Sequence, residues 1–232
     1  MLSLAVASLA GLLAATPSDS ACVLQRVDAQ RQGSCPALFG HRRTLTLTPV
    51  KAITTGAWRA DVAPASAWAG SMSDTGHPDG PIEIETYAGG AGLVRTIYGW
   101  FAVSGFRRTG TALQFQIDSS HEVPPTELDR QIVRRADAIL SSDAAWNRAD
   151  TRACHPTDTT WGIYCAMQRA TIEVTGGFHH RRPALQVVRE IIEVRTAGRP
   201  YAHRLRDYNN DPMTRLSDVR TLFAEALAQM NP

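Results

Sequence analysis

Lysine is all but missing from this chain of 232 residues, Lys51 being the single example, and every other basic side chain apart from histidine is an arginine. A marked excess of positive or negative charge is missing too: 24 basic and 22 acidic residues leave a formal net charge of +2. So weak a field gives no reason to expect nucleic acid or an anionic membrane as a partner. The CxxC knuckles of structural zinc sites are absent. So are a GxSxG elbow, an HExxH helix, a Walker A loop and a GxGxxG after a strand, which removes the common hydrolase, metalloprotease and nucleotide signatures. No metal or cofactor is therefore expected. No internal repeat, low-complexity tract or long linker is visible.

The longest apolar run, MLSLAVASLAGLLAA at the start, is too short for an ordinary membrane-spanning helix and suits the core of a signal peptide. Residues 1–21 are read as that peptide, although no Lys or Arg precedes Arg26. No transmembrane segment is expected in the mature chain, and the expected location is periplasmic or secreted. With 44% apolar residues the remainder can bury a core. Four cysteines allow three connectivities. An even count in an exported chain favours disulfides, and the short loops favour Cys22 with Cys35 and Cys154 with Cys165.

Alternating, β-branched text fills the first half: CVLQRV, TLTLTPV, PIEIETYA, GLVRTIYGWFAVSGF and TALQFQID. Turn chemistry lies between these runs at Ser73-Asp74-Thr75-Gly76, His77-Pro78-Asp79-Gly80 and Arg107 to Gly110. Residues 22–120 therefore read as an antiparallel β meander of about five to seven strands, curled or barrel-like. Tyr98, Trp100, Phe101 and Phe106 are either core or the lining of a ligand cavity.

After Pro124-Pro125 the period becomes helical, and residues 121–232 read as about four α-helices. Thr126 and Asp129 have capping-box spacing for the first. The second ends at Gly176-Gly177, the third starts at Pro183, and the last carries the stripe Leu216, Val219, Phe223, Ala226, Leu227 and Met230. Strands first and helices second make the class α+β, with the helices packed on one face of the sheet as one unit.

Two stretches attract a functional reading. In DYNNDPMTRLSD, 207–218, oxygen-bearing side chains have EF-hand spacing, but Pro212 stands where the calcium loop needs glycine and Asp218 where it needs glutamate. The polar cluster Asp207, Asn209, Asn210 and Asp211 is accordingly expected as a turn, with Thr214 capping the final helix. In GGFHHRRPAL, His179, His180, Arg181 and Arg182 crowd a helix start, where positive charge opposes the helix dipole. An anion would relieve the conflict; otherwise internal acids such as Glu173, Asp207 or Asp211 would.

The segments DAAWNRAD, CHPTDTTWGIYCAMQRATIEVTGGFHHRRPALQVVREI and YAHRLRDYNND, spanning residues 140–230, resemble a group of uncharacterised exported bacterial proteins with a similar helical tail. The resemblance implies a defined fold and no particular chemistry. The expected function is a binding or accessory module with a polar site formed around His179 to Arg182 and Asp207 to Asp211, taking a small anionic ligand, or a protein partner docking on an exposed apolar patch. The alternative is a hydrolase in which His155 or His180 serves as general base beside Asp207 or Asp211.

Overall fold

The structure, a computed structural model, describes residues 21–59, 61–74 and 77–231. The signal-peptide reading of residues 1–21 falls almost wholly outside them. Eight strands run in sequence: β1 Cys22–Val27, β2 Gln30–Leu38, β3 His41–Val50, β4 Ser66–Asp74, β5 His77–Thr86, β6 Gly92–Thr96, β7 Trp100–Thr109 and β8 Ala112–Glu122. Each pairs antiparallel with the next, and β8 closes on β1 through Val23 opposite Gln114 and Leu24 opposite Leu113. The meander is thus a closed barrel, which leaves no sheet edge. Five helices follow: α1 Glu127–Ile139, α2 Ile163–Thr175, α3 Pro183–Arg195, α4 Arg204–Asn210 and α5 Leu216–Gln229. Among the described residues no helix is long and apolar enough to cross a membrane.

Alternation along the strands sorts their side chains between two faces. Leu45, Leu47, Ile82, Ile84, Val94, Phe101, Val103, Leu113 and Phe115 point inward and pack on one another. An eight-stranded barrel is narrow enough for side chains to fill it. The expected aromatic run is split by parity: Phe101 lies in this core, Tyr98 packs beside Phe39, and Trp100 faces outward. Disulfide Cys22–Cys35 ties β1 to β2, and Cys154–Cys165 ties the segment before α2 to that helix.

The residues leading into α3 meet the outer face of the barrel, His179 accepting from Trp100 Nε1 at 3.0 Å and Arg182 lying 4.9 Å from the Trp100 ring centre. There the outward positions Glu85, Leu93, Arg95 and Trp100 are buried, although two of them are charged. Gly56 and Ala57, between β3 and β4, lie in this seam: Gly56 O accepts from Arg95 Nη2 at 3.0 Å, and Ala57 O accepts from Arg182 Nη1 at 2.8 Å. Gly56 has φ +95°, and a Cβ there would meet Thr175 Oγ1 at 2.4 Å, so only glycine fits the crossing.

Four expectations are corrected. His77 to Gly80 opens β5 rather than forming a turn, since His77 pairs with Asp74 and Gly80 with Met72 across β4. The strand count is eight, since QRQGSCPAL and SAWAGSMSD are also strands. Asn209 and Asn210 are the last residues of a fifth helix, α4, and not a turn. Thr214 is buried, and the α5 cap falls one residue later at Arg215, whose N–H donates to Asp218 Oδ2 at 2.8 Å.

Candidate functional site

Arginines converge where α3, α4 and the loop before α2 meet. They line a cleft of about 340 Å3 together with His180, His203, Tyr164 and Tyr201. Arg152 comes from the loop, in a left-handed conformation with φ 63°, and its guanidinium lies 6.0 Å from the centre of the Tyr164 ring. Arg181 comes from the turn before α3, Arg189 from the middle of α3, and Arg204 and Arg206 from α4.

Local bonds set this geometry. Arg189 Nη1 donates to the His180 carbonyl and to Gln186 Oε1, both at 2.6 Å, which folds it back over the start of its own helix. The loop holding Arg152 is pinned by α4: Asn210 Oδ1 accepts from Asp150 N–H, and Asn210 Nδ2 donates to Asp150 O. Disulfide Cys154–Cys165 closes the same loop between Arg152 and Tyr164.

No acidic side chain lines the cleft. Arg204 pairs with Glu193 at 2.8 Å and Arg206 with Asp207 at 2.6 Å. Among the described residues, Arg152, Arg181 and Arg189 have no carboxylate within ion-pair distance, and Arg181 Nε is buried without a hydrogen-bond partner. The crowding shows in the proton affinities. Burial and then the Arg181 charge push Arg189 down to about 10, and burial followed by Arg181 and Arg189 lowers His180.

The expected quartet His179 to Arg182 is divided between this cleft and the seam behind it. His180 and Arg181 line the cleft. Arg182 is buried in an ion pair with Asp129, at 3.0 Å, its guanidinium 4.9 Å from the Trp100 ring centre. Arg95 stacks on the same indole at 4.5 Å. His179 Nδ1 accepts from Trp100 Nε1 at 3.0 Å. Glu173 pairs with Arg135 and Arg169, and Asp211 with Arg199, so Asp129 rather than the anticipated acids meets Arg182.

Burial, with His180, Arg95, Arg181 and Arg182 adding positive charge, drives His179 down to about 3. In the unfolded chain it protonates near 6.5. Between those values the unfolded state binds the extra proton, so stability is complete above pH 6.5 and falls as pH drops toward 3, by at most about 1.4 kcal/mol per unit. Urea titrations at pH 7, 5.5 and 4.5 should show this fall reduced in His179→Gln; parallel losses in the two proteins would mean that the ring reaches water.

The polar cluster of α4 is structural in its contacts. Asn209 Oδ1 accepts from Trp146 Nε1 at 2.8 Å and from Ile163 N–H at 3.0 Å, and its Nδ2 donates to Asn147 O and Asn210 Oδ1. Asp211 accepts from Tyr201, Arg199 and the Met213 N–H, while Asp207 accepts from His203 N–H and Arg206. These carboxylates therefore meet no histidine ring, and His155 bonds Thr157 and Asp158 instead. Among the described residues no three His, Cys, Asp or Glu side chains are grouped to hold a metal ion.

Arg152, Arg189, Arg204 and Arg206 escaped the sequence reading. The proximity of Arg152 to Cys154 and the run RLRD were the available signals, but neither says which way a side chain points. No protein-family model, curated protein or solved structure matches the chain.

Proposed function

We propose that the protein is exported to the periplasm or beyond and acts there as a binding or accessory module that captures a small anion in the arginine cleft. The observation that carries the reading is the set of three guanidiniums, Arg152, Arg181 and Arg189, that share one cleft without carboxylates of their own. Like charges held together cost stability, and an anion that binds there recovers it through charge-assisted hydrogen bonds. Two disulfides, the apolar start of the chain and the resemblance of residues 140–230 to exported proteins support the location.

A ligand at a hundred times its Kd adds about 2.7 kcal/mol to stability, which for a chain of this size is a rise in Tm of about 5–10 °C. Thermal unfolding of the full oxidised chain in rising phosphate should show such a shift. The double variant Arg152→Ala with Arg181→Ala should lack it. Equal shifts in both proteins would place the anion elsewhere.

A further inference from the structure

The arrangement of the cleft narrows the ligand, on the premise that the cleft binds anions at all. A carboxylate is planar and offers two oxygens, which one or two arginine forks saturate. Here the forks arrive from several elements: Arg152 from the loop before α2, Arg181 from the turn before α3, Arg189 from the middle of α3, and Arg204 and Arg206 from α4. Donors so placed suit an acceptor whose oxygens point apart, which means a tetrahedral head.

Charge narrows it again. Glu193 and Asp207 neutralise Arg204 and Arg206. Three guanidiniums remain, and the field of one further acid, Glu122, reaches Arg181 and Arg189 from outside the lining. Three guanidiniums without a carboxylate partner favour a ligand carrying more than one negative charge, as a phosphomonoester does at neutral pH, over a singly charged sulfate ester or phosphodiester.

Size supplies the last step. A volume of about 340 Å3 lies at the small end of the range for organic ligands and exceeds what a bare oxyanion needs. Tyr164 and Tyr201 contribute ring surface to the wall. Against such rings an apolar or ring-shaped remainder can pack while the head meets the arginines. From these three constraints we infer that the cleft takes a small organic phosphomonoester.

Calorimetric titration of the full oxidised chain with four probes tests this: phenyl phosphate, phenyl sulfate, isophthalate and inorganic phosphate. Phenyl phosphate should bind about tenfold or more tightly than each of the others, because isophthalate lacks the tetrahedral head, phenyl sulfate the second charge and inorganic phosphate the ring. Exposed Arg152 can be changed without disturbing the core, so Arg152→Ala should weaken phenyl phosphate about tenfold at unchanged Tm. Equal binding of isophthalate would overturn the tetrahedral head, equal binding of phenyl sulfate the double charge, and equal binding of inorganic phosphate the organic remainder. Each of those results leaves anion capture standing. Heat from none of the four would remove anion capture and this inference together.

Discussion

Asp129→Ala should destabilise the protein by about 3–5 kcal/mol, read as a lower urea midpoint at unchanged slope. Asp129 and Arg182 are both 0% exposed. The carboxylate accepts from four donors: Thr126 N–H and hydroxyl at the start of α1, and Arg182 Nε and Ala184 N–H at the start of α3. Alanine would strand a buried guanidinium whose Nη2 already has no partner. The loss should come from that stranded charge rather than from an absent attraction. Asp129→Leu combined with Arg182→Met should therefore regain most of the stability, since apolar pairs of similar volume often match or exceed a buried ion pair. A single variant within about 1 kcal/mol of the parent would show that Arg182 escapes to water and that the seam between barrel and helices is held by something else.

Asn209→Asp should cost about 3 kcal/mol or more, although it changes one atom. All four hydrogen-bonding positions of the amide are used in a buried site. The carboxylate would turn two donors into acceptors facing Asn147 O and Asn210 Oδ1, and each buried group left unpaired costs about 1–3 kcal/mol. Protonation restores a donor, so the deficit should shrink as pH falls below about 5, and thermal scans at pH 4.5 and 7.5 would reveal it. A variant as stable as the parent at both pH values would refute the role of Asn209 as the clamp joining Trp146, the start of α2 and α4. Because that clamp and Asn210 also hold the loop of Arg152, weaker anion binding should accompany the instability.

Much of the architecture was readable because its signals are local. Thr126 and Asp129 announce α1 by spacing alone, Pro183 suits the first position of α3, and Gly176 ends α2 with φ 80°. Strands β2 and β4 were not readable. Gly33 and Gly70 approach neighbouring backbone so closely that a Cβ would meet Val23 O at 2.0 Å and Thr46 O at 1.7 Å. Glycine and serine there look like turn chemistry, and only pairing with distant strands makes them extended. The seven residues of α4 were missed for a similar reason: Asn and Asp at its end are poor helix formers, and the buried bonds of Asn209 offset that weakness.

Local signals in the sequence sufficed to place strands before helices, to pair both disulfides, to set the limits of α1, α3 and α5 and to mark an unusual positive segment at 179–182. These depend on contacts within a few residues, or on closing short loops. Tertiary structure alone decided that the sheet closes, that Trp100 faces outward between two arginines, that Arg182 goes to Asp129, and that Arg152, Arg181 and Arg189 meet in one cleft. Such outcomes depend on which distant side chain is near enough to share a buried charge, and electrostatic energy depends on distance in space and on burial, neither of which is written in residue spacing.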